Sequence, residues 1–490
     1  MSGLAFAVVL AAVLLPGLLY LRLAIRESRL IHTVEDFLPL KRNLSARSVS
    51  ATVVAAGMSM ATVMVALINL APFIGVALFV TIATYAVGFV LLAFLTRRIL
   101  DANPRNLVLQ TYLSEAYGSG SLGFVATGFT VIGYLSIFAM ELLVGTAILT
   151  PILGNWTLAF ATVYLGFLLA YCALSGYRGV VATDRWQLLF ILLAVASLIA
   201  FVLWNYVTYG IDASFNGSIV SSLFTWKGSL AFVIGVTVMN IPGPISDTGT
   251  WQRICSAESP RAARAGIRAA VFLFVFIWST LIVVGCLHPT LRHLDGSWDA
   301  ATTPLMTGII DSLAGPGHPI LLGLLFLLIL GLFSAMISTA DSLLLAAGQA
   351  ALTGFRGTRW MDDAPSVALR RSRLWIIVLA VGSFVVFVVF HLLSFNVIQL
   401  VFAIYGAQLA LWPTTVATLI FRNHDVLRPL RTHAIVSIAS GFLAAWGCAI
   451  WGHSIASSDL QFYAPAVGLG TALVTIIPGV VLAVIRSRTR

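Results

Sequence analysis

Charge is what this sequence has least of. Asp, Glu, Lys and Arg make up only 9% of its 490 residues, against roughly 25% in a soluble domain. The deficit excludes a chain that keeps a polar shell around one core. Cysteine is nearly absent as well. Cys172, Cys255, Cys286 and Cys448 lie far apart with no metal-ligand spacing, which leaves them as small packing residues. No HExxH pair, phosphate loop or strand-borne nucleotide fingerprint occurs, so hydrolase and nucleotide chemistry have no foothold. No basic segment precedes the first apolar block, Gly3 to Leu19, and Arg22, Arg26 and Arg29 follow it. A cleavable signal has the reverse polarity, so this block reads as a retained helix.

What is present is apolar: 60% of the residues are hydrophobic and the mean hydropathy is +1.00. The apolar residues come in blocks of about twenty, the length of helix that crosses roughly 30 Å of hydrocarbon. The pattern predicts an all-α integral membrane protein with about thirteen spans. They comprise a leading helix over 3–21, five spans within 48–208, five within 228–421, and two C-terminal helices within 434–485. Of the 28 Lys and Arg residues, all but Lys227 and Arg292 fall in loops on one side. Cytoplasmic loops collect positive charge, which places the amino terminus outside and the carboxyl terminus inside. The net charge of +10 is therefore a topology signal, and no aromatic-interleaved basic patch argues for nucleic acid. The chain ends just past its last span, so no fused signalling domain is expected.

Two spans differ from the rest. One contains Ala55-Ala56-Gly57-Met58-Ser59, and the other ends in Met239-Asn240-Ile241-Pro242-Gly243-Pro244. Proline and glycine there break the backbone ladder, and each segment opens a group of five spans that start on opposite sides. Interrupted helices at matching positions point to a transporter's binding site. Ordinary kinks are the plainer alternative, since Gly and Pro are common in membrane helices.

Three carboxylates lie within the apolar spans, where a charge is costly unless it faces protein or water. Asp341 shares a helical stripe with Ser334, Ser338 and Ser342, with Thr339 beside it. That stripe offers hard oxygen ligands suited to a small hard cation. It also suits hydroxyl bonding between helices. Asp184 is expected at the cytoplasmic mouth of its span, within reach of Arg178 or Arg185. Glu141 is the most deeply set of the three and shares a helix face with Tyr134, Phe138 and Gly145. That face is expected to border a central cavity, with Glu141 reading a donor-rich or cationic group on a solute.

Four segments in order, Thr33–Arg42, Gly179–Gln187, Trp251–Arg264 and Met336–Ser342, resemble the sodium/solute symporter family, which includes the bacterial proline and galactose symporters. The resemblance implies a LeuT-type inverted repeat of five plus five helices in a bacterial inner membrane, working as a sodium-coupled (Na+) symporter of a small polar solute. It implies a sodium site made of backbone carbonyls of Ala55, Met58 and Ala335 with the hydroxyls of Ser338 and Thr339. Asp184 and Asp341 become candidates for coupling and gating. The candidate solute contacts are Gly57, Ser59, Glu141, Asn240, Tyr405 and Gln408. Gly57 and Glu141 depart from the family, which often has a polar residue at the first position and glutamine at the second. The solute therefore cannot be borrowed from relatives. Proton coupling through Glu141 or Asp341, and a solute sensor with a transporter-like domain, are the alternatives.

Overall fold

A computed structural model describes residues 3–38, 41–209, 225–287, 304–315, 317–355, 364–393, 397–421 and 424–488; Arg292 lies outside them. Among the described residues every extended element is a helix, and β-pairing is limited to two isolated bridges. Among the described residues ten helices are long and apolar enough to cross a membrane, and two bent helix pairs bring the number to 12.

One of those ten is two spans. The helix Thr157–Tyr209 has 53 residues, roughly 80 Å at 1.5 Å per residue, far more than a bilayer needs. Gly176 interrupts it at φ 51°, ψ −146°, a conformation closed to residues with a Cβ. The two arms run back along the same neighbour, helix Pro319–Gly354. Outbound, the Tyr164 ring lies 5.5 Å from Phe333 and Tyr171 bonds Asp341. On the return, Gln187 reaches Asp341 and the Phe190 carbonyl meets Gly331. Both arms thus pass the same two levels in opposite order. Counting them separately gives the thirteen spans expected.

The helices outrun their hydropathy limits, chiefly at the basic end. Pro365–Leu392 begins with a basic segment, Arg370 to Arg373, ahead of its apolar run, and Pro260–Leu287 likewise carries Arg261, Arg264 and Arg268 in its first turns. Apolarity marks the hydrocarbon layer, whereas a helix ends where its backbone is capped. Pro365 and Pro319 stand in the first turn, where a missing N–H costs nothing, and His318 accepts from the Ile320 amide. The short helices Val34–Phe37, Leu109–Ala116 and Pro304–Ala314 carried no span signal.

Contacts gather the basic residues at one end. Arg42 donates to the Leu100 and Asn103 carbonyls, Arg264 to the Ala93 carbonyl, Arg185 to Ser48, and Arg178 pairs with Glu27. Lys227 lies at the other end, against the Pro72 carbonyl. In the entry segment Asp36 accepts from the Thr33 and His32 amides and from Lys41. The Lys41 ammonium does most to hold its carboxyl down at about 2.

Pro319–Gly354 is the central helix, with 28 of its 36 residues buried. It packs closely because Gly331 lets the returning arm touch its backbone: a Cβ there would fall 2.3 Å from the Ala194 Cβ and 2.4 Å from the Phe190 carbonyl oxygen. The leading helix Gly3–Ser28 packs on the two arms and on this helix, and the C-terminal pair Arg431–Ser454 and Ser458–Arg488 packs on itself and on Val397–Gln408. Gly331→Leu should destabilise the purified protein by about 1–3 kcal/mol, the usual cost of overpacking, and lower its melting midpoint. Gly323→Leu, which meets nothing within 4 Å, should leave the midpoint unchanged.

Candidate functional site

Both suspected interruptions are real. Helix Ala46–Gly57 stops at Met58 (φ −92°, ψ 56°) and Ser59 (φ −51°, ψ 132°), and the chain resumes after a 65° bend as the wide π-turn Met60–Val65. A break inside hydrocarbon frees backbone groups that lipid cannot satisfy. Here the Ser59 hydroxyl oxygen accepts from the Thr62 amide at 2.9 Å, and the same hydroxyl donates to Glu141. The other oxygen of Glu141 accepts from the Ala61 amide at 3.3 Å. Glu141 is completely buried and serves the start of the resumed helix, where negative charge is favoured.

The second break follows Leu230–Asn240. A turn through Pro242 leads to the short helix Gly243–Ser246, and Asp247 then caps Thr248–Cys255 after a 40° bend. Asp247 accepts from the Thr250 amide at 2.6 Å and from the Tyr134 hydroxyl at 2.7 Å. A neutral Ser or Asn caps a helix as well as Asp does, and the helix dipole returns only about 1 kcal/mol to a charge. A carboxylate at membrane depth costs roughly 2.5–3.5 kcal/mol. Capping alone leaves the charge unexplained.

Between the breaks lies a cavity of about 200 Å³. Five of the six expected solute contacts line it: Gly57, Ser59, Asn240, Tyr405 and Gln408. Glu141 does not; it sits behind the first break, bonded to Ser59. Of the face that was expected to border the cavity, Tyr134 lines it, whereas Phe138 is fully buried and Gly145 meets Met336 and Met60. Asn240 donates its amide to the Thr81 carbonyl and Thr84 hydroxyl, and Gln408 to the Phe129 carbonyl. The sequence reading missed Tyr85, Asp247 and Trp278 in the cavity wall. Asp247 had a signal, an N-cap residue three positions after Pro244.

The serine stripe does not face one opening; its hydroxyls reach different neighbours. Ser334 bonds Tyr20 at 2.8 Å, Ser338 donates to Asp184 at 3.0 Å, and Thr339 donates to the Ala56 carbonyl at 3.3 Å. Ser342 accepts from Arg253 at 2.6 Å and donates to Asp341, which also accepts from Tyr171 and Gln187. Thr339 is thereby held against the first break, while Ser338 faces Asp184; Ala55, Met58, Ala335, Ser338 and Thr339 are all buried. Asp184 is fully buried too, not at a mouth. Arg178 pairs with Glu27 and Arg185 bonds Ser48, so neither reaches it. The second oxygen of Asp184 is buried without a hydrogen-bond partner among the described residues. A hard cation is the complement of such an oxygen beside a hydroxyl. No group of three or more His, Cys, Asp or Glu forms a metal cluster among the described residues.

A sodium-coupled sialic acid symporter in its substrate-bound, outward-open state aligns over 99% of this chain and 98% of its own, with a TM-score of 0.76 at 16% identity. The scaffold is that of the LeuT-type transporters. MHP1, a nucleobase-cation-symport-1 family transporter, covers 91% of this chain and 95% of its own at TM-score 0.57 and 15% identity. MhsT in complex with L-phenylalanine covers 90% and 99% at TM-score 0.54 and 13% identity. No protein-family model and no curated protein sequence matches the chain.

Replacing Glu141 separates its packing from its bonding. Glu141→Ala leaves the Ala61 amide unpaired at the break and should cost about 1–3 kcal/mol, read as a lower melting midpoint. Glu141→Gln keeps an acceptor and should lose less than half as much. Equal losses in the two variants would show that volume, not bonding, matters at this position.

Proposed function

We propose that this chain is a secondary active transporter that couples sodium entry to the symport of a small polar organic solute. The observation that carries the proposal is the meeting of two broken helices around one cavity; we read each as the opening span of one of two oppositely running groups of five. Residues 48–208 and 228–421 are the two repeats. Rocking of one bundle against the scaffold opens the cavity to each side in turn. Sodium binds beside the first break, where the carbonyls of Ala55, Met58 and Ala335 and the hydroxyls of Ser338 and Thr339 replace water. The hydroxyl of Ser338 links this position to Asp184, whose unpartnered oxygen adds charge to the ion's surroundings. Gly57, Ser59, Asn240, Tyr405 and Gln408 meet the solute, and Glu141 shapes the break from behind. The basic end faces the cytoplasm, in accord with the positive-inside rule.

Proton coupling is the second reading, and one observation favours it. Asp341 is fully buried with no ion-pair partner among the described residues. An intramembrane carboxyl without a counter-ion is a candidate proton carrier.

Sodium binding to the purified protein distinguishes the two readings. Sodium, and not potassium, should raise the melting temperature. Ser338→Ala combined with Thr339→Ala should raise the sodium concentration required at least tenfold, equivalent to about 1.4 kcal/mol. A stabilisation that follows pH and ignores sodium selects the proton reading. Orientation is tested separately: a single cysteine at Lys227 should label from outside cells, and one at Arg264 only after permeabilisation.

A further inference from the structure

The cavity wall carries a chemical preference. Asp247 and Arg253 are its only ionisable Asp, Glu, Lys, Arg or His among the described lining residues. They are neighbours, since Arg253 Nη1 and Asp247 Oδ2 each lie 3.3 Å from where a Cβ on Gly249 would stand. Yet they form no ion pair. Arg253 is turned to the Thr52 and Gly249 carbonyls and to Ser342, all neutral acceptors. Asp247 is half-buried, and its two bonds, from Tyr134 and Thr250, use about half of a carboxylate's acceptor positions. Its charge is left to the cavity.

The rest of the wall points the same way. At Gly57 the space for a side chain is filled by the Phe274 ring, 2.7 Å from a Cβ built there, with the Tyr85 hydroxyl at 3.4 Å. Tyr85 stacks on Trp278 at 4.5 Å between centroids and meets Phe274 edge-on at 5.1 Å. Tyr85, Tyr134, Trp278 and Tyr405 thus give the cavity an aromatic lining. Asn240 and Gln408 spend their amide N–H groups on protein acceptors, which leaves their carbonyl oxygens as acceptors. Hydroxyls of Thr250, Tyr85 and Tyr405 also line the wall and would serve a neutral polyol, but Asp247 alone among the described lining residues offers a negative charge. A carboxylate, free acceptors and aromatic rings together suit a cation, since the ring face attracts positive charge.

We infer that the solute carries an organic ammonium group, held by Asp247 within the aromatic lining of the cavity. The inference rests on the transporter reading and names the solute class of that same cavity.

The test is binding to the purified full chain in sodium, read by thermal shift and titration calorimetry. The probes are choline and its uncharged carbon isostere 3,3-dimethylbutan-1-ol, then ethanolamine and ethylene glycol, with mannitol as a neutral polyol. Each ammonium compound should bind at least tenfold more tightly than its neutral partner. Asp247→Asn should abolish that difference while sodium still stabilises the protein. Asp247→Ser, which keeps a helix cap, guards against a folding defect and should behave alike. Equal binding of charged and neutral partners, unchanged ammonium binding in both variants, binding of mannitol alone, or a sodium response with no ammonium binding would each overturn the inference. An unaltered protein that responds to neither sodium, pH nor any of the probes would instead remove the transporter reading beneath it.

Discussion

Everything in the centre of this molecule follows from one constraint: a helix broken inside a membrane must have its freed backbone groups satisfied by protein. Both breaks obtain that support from one helix, Gly120–Leu153. Tyr134 bonds Asp247 at the second break, and Glu141 accepts from Ser59 and Ala61 at the first. The two residues stand seven apart, two turns along one face. A single rigid helix therefore sets the distance between the breaks and the height of the cavity between them.

The central helix Pro319–Gly354 supplies the second level of organisation. Its polar stripe joins four partners that the chain keeps far apart: the leading helix through Ser334, the returning arm through Ser338, the first break through Thr339 and the second through Ser342. Through this one helix the two breaks are connected to Asp184, by Ser338, and to Asp341, by Ser342. The proposed ion position at Ser338 and Thr339 adjoins the cavity through Thr339, which lines it.

Much of this was legible in the sequence, because hydrocarbon leaves few options. Apolar blocks located the spans, and the small residues Ala55 to Ser59 and the Pro-Gly-Pro segment located the breaks. The stripe on the central helix was visible at helical spacing, but its division among four neighbours was not, because that depends on which helices surround it. Glu141 was singled out as an intramembrane carboxylate. Its place behind the break rather than in the cavity depends on the π-turn, which displaces Met60–Val65 and has no sequence signature. Asp247 was overlooked because it follows a proline break and so reads as loop, although the bend carries it back to the cavity.

The proposed coupling requires that sodium bind at the first break and order it. Hydrogen–deuterium exchange on the purified protein, in sodium and in potassium at equal ionic strength, measures this without knowledge of the solute. Backbone amides of residues 55–62, together with 334–342 on the facing helix, should exchange more slowly in sodium, while the C-terminal pair 431–488 should not respond. Equal exchange in the two salts across 55–62 would contradict the assignment of this break as the ion's site.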